Sequence, residues 1–520
     1  MTMRRVFRGM CNWRRGGLAG WGRRALSGLL LACGAVSGAA AAVDDLRVDA
    51  DWGDSGYAAE SFLNDQIGEK LATLGNGNTV TLSRGSNASS PLQALLLQRS
   101  PSGAIVPWAD VPPVFSGGGG AYIVYPNNAL GASSLDEVVD LKVYEGRIYV
   151  LLTVSASTGS RVPLVRCFTA TGADCGWFSQ EFSGDPEQAA IAFDIFGDRI
   201  VILARNGASG SAGFRVARWE IASDGSFSHL SDVSFSSPGG NPRAEPVDIA
   251  ARRPSNPYST SYRGYFVAYT RKFSSDPVDL NYDPCLLSVK SDDSPGTDLA
   301  GGSVLCRPFD EPESSLADVA VELRTRSWED AALQGHFSIE VMARVDRRQA
   351  EGVGVWRIVD GQPDVAFGAL GGPAGQGARG QGRVVWGGCG PLASGGSDVG
   401  LGCHRPTMAG IGQHLPATFT AMGPDLVLVG LERWTIPVGS GSANDNSPML
   451  FRVELATGAL KQFDLFDHPG FSGHQEFRAI LGRLDGRALA VGSAFVLSGG
   501  GTWHQPSTAL TRGLFADGFE

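Results

Sequence analysis

Short stretches of alternating apolar and polar residues recur along most of this chain, and most of them fold back at a Gly, Asp or Asn link. Period-two alternation enriched in β-branched and aromatic residues predicts β-strands. The clearest unit has strands at 191–196 and 199–203 around Gly197-Asp198, then a third at 214–219 before the turn Ser223-Asp224-Gly225-Ser226. Equivalent pairs are 138–144 with 147–152 around Glu145-Gly146, 247–250 with 264–269, 318–323 with 336–341, 419–422 with 426–429, 477–481 with 487–491, and 70–74 with 79–82. One small sheet cannot bury both its faces, so neighbouring units must stack, and radial stacking also removes exposed edges. The pattern predicts an all-β β-propeller of seven blades, with six or eight as alternatives because 370–414 resists assignment. Composition agrees: 71 glycines and only 18% charged residues suit short strands joined by turns rather than amphipathic helices.

The first 42 residues read differently. Arg4, Arg5, Arg8, Arg14, Arg15, Arg23 and Arg24 form a basic segment without acids, followed by an apolar run at 25–36 and four alanines at 39–42. That order predicts a signal peptide over 1–42, leaving 43–520 as one propeller domain with a Gly-rich insertion at about 370–414. Leu30-Leu31-Ala32-Cys33 resembles a lipobox, which offers a lipid anchor on Cys33 as an alternative. Arg4-Arg5-Val6-Phe7 resembles part of a twin-arginine signal, but lies far from the apolar run. No later stretch has the ~18 apolar residues of a membrane span. The expected location is periplasmic or extracellular, with an outer-membrane lipoprotein as the alternative. Setting aside the leader's seven arginines takes the net charge from −10 to −17, which argues against nucleic acid as a partner.

Six cysteines remain beyond the leader, in three local pairs: Cys167 and Cys175, Cys285 and Cys306, Cys389 and Cys403. An oxidising compartment favours nearest-neighbour disulfides, although sequence alone leaves the pairing open. Zinc is the competing reading, but there is no C-x-x-C and only His404 adjoins a cysteine.

Asp51-Trp52-Gly53-Asp54-Ser55-Gly56, Asp485-Gly486-Arg487 with Val491-Gly492, Arg218-Trp219 before Asp224-Gly225, and Arg357-Ile358-Val359-Asp360-Gly361 ahead of Phe367-Gly368 resemble the delta-60 repeat of exported bacterial proteins. The resemblance covers most of the chain beyond the leader, with insertions, and several copies lack the Asp-Gly turn. It implies a propeller-like fold and carries over no catalytic residue. The ending at 514–520 also resembles a short terminus of some exported proteins.

Candidate chemistry is sparse. Gly53-Asp54-Ser55-Gly56 resembles a serine-protease nucleophile segment, but a triad needs a His before it and the first beyond the leader is His229. It reads as a turn opening a repeat. No G-x-S-x-G and no H-E-x-x-H occurs. Asp279, Asn281 and Asp283 have calcium-loop spacing, yet Pro284 and Lys290 replace the glycine and the glutamate of an EF-hand, leaving a simpler loop site. Asp49, Asp51 and Asp54 offer another. His468 and His474, in a loop with Asp464, Asp467 and Glu476, could hold a divalent metal. Solvated acidic turns are the plainer reading of all three. The Gly-rich runs at 117–120 and 371–380 are not followed by G-K-[ST] and read as linkers. Most tryptophans should pack between blades; Trp434 and Trp503 are the candidates for stacking on a sugar. No cofactor is required, calcium being the one candidate.

The expected role is therefore a non-enzymatic binding or scaffold module for a protein or glycan. The alternative is a secreted hydrolase or lyase with its site in the central channel, since propeller enzymes gather one residue per blade. A surface-tethered structural protein is a third reading. Carboxylates, His and Arg converging in the channel with shifted pKa values would mark the enzyme, whereas small or apolar lining would favour the binder.

Overall fold

Two-residue links decide where the strands reverse. Glu145 and Gly146 have φ of 49° and 73°, and Asp360 and Gly361 have 49° and 80°. Two consecutive left-handed residues match the right-handed twist of the flanking strands, which is why Gly takes the second position in both. A computed structural model describes residues 46–512 except for connecting segments, chiefly 87–91, 111–119, 125–133, 206–212, 237–242, 273–281, 307–317, 364–382, 388–410 and 466–474; at 432–445 and 502–512, among others, it describes the backbone alone. The compact unit Leu46–Thr511 carries the fold, and the other unit, Met1–Asp45 with Arg512–Glu520, falls almost wholly outside the described residues.

Seven antiparallel sheets of four or five strands follow one another along this unit. We number them as blades 1 (65–124), 2 (134–179), 3 (190–235), 4 (243–306), 5 (318–363, with Arg383–Gly387), 6 (411–465) and 7 (475–512, with two strands from the start of the unit). Each blade opens with its innermost strand: Asp65–Thr73, Ser134–Tyr144, Ala190–Phe196, Arg243–Ala251, Asp318–Glu329, Ile411–Met422 and Gln475–Gly482. Each of these touches the innermost strand of the next blade, and the last touches the first, so the ring closes as a β-propeller. All seven hairpins expected from the alternation are the first two strands of a blade.

The cores lie between blades. Tyr149, Leu151, Val165 and Phe178 of blade 2 pack on Phe193, Ile200 and Ile202 of blade 3, and the other seams are built alike. Middle strands are covered on both faces, so Arg147–Ser155 and Arg161–Thr169 are buried at every position but their ends. Each fully buried Leu, Ile, Val or Phe contributes about 1.5–3 kcal/mol. The outermost strand of blade 3, Phe227–Phe235, is by contrast half-buried or exposed throughout.

Closure uses both ends of the unit. Leu46–Val48 and Tyr57–Glu60 both pair with Thr502–Arg512 of blade 7. Gln462 of blade 6 fixes the first of them, its amide accepting from Leu46 N and donating to Leu46 O, both at 2.7 Å. Trp52, 1% exposed, fills the seam with Leu489 and Leu71, and Gly103 lies so close that a Cβ there would stand 2.8 Å from the indole. Residues 51–54 thus follow the first closing strand and do not open a blade, unlike the repeat-opening turn the sequence suggested there. Two disulfides secure outer strands: Cys167–Cys175 in blade 2 and Cys285–Cys306 in blade 4. The second holds a strand of only three residues, Val304–Cys306, whose ladder alone is short. Cys389 and Cys403 lie outside the described residues, as does Cys33.

Candidate functional site: a charged ring around the axis

All seven innermost strands slip by one residue against their neighbours. One slip in each falls just before Lys70, Asp140, Ala192, Asp248, Glu322, Thr418 or Ala479, and the strand of blade 2 slips once more, between Leu135 and Glu137. A β-bulge bends the strand and re-aims the side chains after it. Residues two further on share a face with these, which adds Lys142, Asp194, Arg324 and Thr420. Charged and hydroxyl groups from six blades therefore stand at the two levels above the bulges.

An innermost strand is a sheet edge, and its outward N–H groups need acceptors. The ring supplies them from blade to blade. Asp194 accepts from Ala251 N of blade 4 (2.9 Å), Asp248 from Leu323 N of blade 5 (2.8 Å), Glu322 from Phe419 N of blade 6 (2.8 Å), and the Thr420 hydroxyl from Gly482 N of blade 7 (3.2 Å). Asp248 also accepts from Ile249 N at 2.8 Å, and Asp140 from Leu141 N at 2.8 Å.

Cations sit among these carboxylates. Lys142 Nζ is 3.2 Å from Asp140, and Arg324 reaches Glu322 through Nη2 at 2.9 Å. Between blades 7 and 1, Arg478 lies between Glu476 (2.5 Å) and Glu69 (3.1 Å), and Glu69 also meets Arg84 at 2.5 Å. The Lys142 and Arg324 side chains keep 33% and 37% of their surface accessible, although burial works against the charge of each. A water-accessible channel deep in the protein reconciles the two facts.

The electrostatics follow from that enclosure. Burial pushes the Asp248 carboxyl up to about 7, the Glu322 charge adds to it, and Lys142, Lys70 and the Leu323 N–H oppose it. Burial alone would lower Lys142, but Asp140, Asp194 and Asp248 together outweigh it and raise the ammonium above its ordinary value. Arg324 is likewise raised, its burial outweighed by Glu322, Asp248 and Asp140.

Those residues singled out from sequence that the structure describes lie elsewhere. Asp283 is buried in blade 4 and pairs at 2.5 Å with Arg271, its cross-strand neighbour; burial raises it and Arg271 opposes. Asp279, Asn281, His468 and His474 fall outside the described residues. Asp49 is buried against Arg487 at 2.9 Å, whereas Asp51 and Asp54 are exposed. Trp52, Trp108 and Trp356 are buried packing residues; the side chains of Trp434 and Trp503 are outside the description.

Sequence reasoning passed over the ring, and also a chain at one rim of the propeller. There His336 Nδ1 meets Asp360 at 2.6 Å and Nε2 meets Asp330 at 3.3 Å, which raises the imidazole, Asp360 foremost. Trp328 stacks on His336 with ring centres 5.5 Å apart. Both carboxylates bind the imidazole itself, so the three form a bridge between turns rather than a chelate.

No family model matches this chain, and no curated protein matches it. Among solved structures, it is similar to MPT-4, a mannose phosphorylase from Leishmania mexicana, at 10% identity and a TM-score of 0.29, over 62% of this chain and 82% of that one. Another is the GH32 beta-fructofuranosidase of Bombyx mori, at 7% identity and a TM-score of 0.29, over 89% and 93%. A third is the β-propeller domain of the Trilobed protease from Pyrococcus furiosus, at 7% and 0.28, over 71% and 95%. Superpositions this loose assign no activity, and the propeller rests on this chain's own strand pairing.

Proposed function

We propose that this chain is an exported propeller that binds a polar ligand in its axial channel without transforming it. One observation carries the reading: Asp194, Asp248 and Glu322 are engaged by main-chain N–H groups of the next blade, whereas Lys142 and Arg324 stay water-accessible with donors in excess of their described partners. Groups tied to the backbone hold the blades together; accessible donors are what a ligand would meet. Export is supported by the two disulfides, by the leader-like start and by the resemblance to delta-60 repeats; no helix among the described residues is long and apolar enough to cross a membrane.

A second reading, a hydrolase or lyase, is favoured by Asp248 and by the convergence expected of an enzyme. A carboxyl held near 7 beside a second carboxyl is the arrangement of a proton donor with a neighbouring base. Carboxylates and Arg324 meet at the axis with shifted pKa values, where a binder was expected to have a small or apolar lining. Against it stands the engagement of Asp194, Asp248 and Glu322 by main-chain N–H groups. The test is to incubate the protein with polysaccharide fragments, isolate the complex by gel filtration and weigh the bound fragment by mass spectrometry. Recovery of intact fragment supports the binder. Shortened or unsaturated fragments establish the enzyme, and no complex with any fragment removes the channel as a glycan site.

A further inference from the structure

The ring offers different things to a ligand at its two kinds of charged group. An ammonium has three N–H donors, and Lys142 has one described carboxylate partner, Asp140. A guanidinium has five; Arg324 directs Nε and Nη2 to Glu322 and Nη2 also to Thr418 Oγ1 at 3.4 Å, and Nη1 has no acceptor among the described residues. The two cations occupy the same level, two residues past the bulges of blades 2 and 5, and Arg324 opposes the protonation of Lys142. Two like charges facing one enclosed space with unused donors define a place for an anion.

The carboxylates set the rest of the ligand. Each carboxylate oxygen has two lone pairs, and where a main-chain N–H takes one, the other is left for a hydroxyl. The Thr420 hydroxyl, accepting from Gly482 N, keeps its own proton to give. Nearby Asp140, Asp194 and Glu322 would repel a dianion more than a monoanion. The complement is a single negative charge on a body rich in hydroxyls. We infer that the channel binds a sugar acid, a uronate unit whose carboxylate docks between Lys142 and Arg324 while its hydroxyls meet the ring carboxylates. This rests on the channel-binding reading above and narrows it.

Isothermal titration of the full chain at pH 7 with three probes tests it: a tetra-uronate, the same tetrasaccharide with its carboxyls reduced to alcohols, and acetate. The tetra-uronate is expected to bind at least about tenfold tighter than either control, which corresponds to about 1.4 kcal/mol. Arg324→Gln, which keeps a donor for Glu322, should remove that advantage. Should the Gln variant fold poorly, salt gives an independent readout in the unmodified protein: affinity for the uronate must fall between low and high salt, and affinity for the reduced sugar must not. Equal binding of uronate and reduced sugar overturns the anion site and leaves the channel reading intact. Acetate binding as tightly as the uronate overturns the sugar acid in favour of an adventitious anion. Absence of binding by all three overturns the inference and the glycan reading together.

Discussion

The two sides of the channel solve one problem with different chemistry. Along blades 3 to 5, the N–H groups of innermost strands are met by carboxylates from Asp194, Asp248 and Glu322. Between blades 6 and 7 the same task is done by a neutral hydroxyl, Thr420 on Gly482 N, and blade 7 places alanine at the ring level. A hydroxyl is therefore enough to clasp one blade to the next. The carboxylate solution brings desolvated negative charge, which in turn requires Lys142 and Arg324 close by. Closing the propeller does not demand that charge, and charge in excess of a fold's needs points to function.

Removing the central counter-charge is the strongest way to break this contrast. Lys142→Met would leave Asp140, Asp194 and Asp248 facing one another without their shared cation. Breaking a buried pair costs roughly 3–5 kcal/mol and an exposed one about 0–1 kcal/mol; Lys142 is one-third accessible and no second cation stands beside Asp140 among the described residues, so we expect about 2 kcal/mol, read as a fall in the urea midpoint with unchanged slope. A loss within error would mean that the three carboxylates are solvated well enough to need no partner.

Next come the clasps themselves. Glu322→Ala orphans the Phe419 N–H and frees Arg324, at about 1–3 kcal/mol, whereas Thr420→Val orphans only the Gly482 N–H, nearer ~1 kcal/mol. If the two variants lose equal stability, the carboxylate adds nothing to the clasp, and the case for its having another purpose strengthens.

Acidity separates the sides more gently. The Asp248 carboxyl holds its proton in the folded state up to about 7, while the unfolded chain releases it near 3.8. Between those values the native state binds more protons, so stability falls as pH rises from about 4 to 7. Asp248→Asn cannot titrate and should flatten that part of the profile, measured as the denaturant midpoint at pH 5 and pH 8. An unaltered slope would place the titration elsewhere.

Much of the fold was legible because alternation and turn chemistry are local. Glu145-Gly146 and Asp360-Gly361 name their turns outright, and all seven first hairpins fell where the pattern put them. Closure was hidden, since Leu46–Val48 is too short to show a period and its partner lies at the far end of the chain. The ring was half visible: Asp140 and Lys142, Asp248, and Glu322 are charges inside otherwise apolar first strands. Their convergence depends on seven register slips, and a bulge leaves no composition of its own. Nor could spacing have shown that Thr420 stands level with Arg324, since that follows only from closing the ring.

The smallest effect is expected from the side already neutral. Arg478 lies between Glu69 and Glu476, and Arg84 holds Glu69 as well. Its raised pKa reflects those two carboxylates winning over burial, Glu69 foremost. Arg478→Met removes one of two cations from a cluster whose members remain partly accessible, so Arg84 can still neutralise Glu69. Partly exposed pairs of this kind are worth about 0–1 kcal/mol, and the variant should melt within a few degrees of the parent and keep any affinity for a channel ligand. A loss comparable to that of Lys142→Met would show that the two sides of the channel are electrostatically one, and that the division between a structural half and a ligand-facing half does not hold.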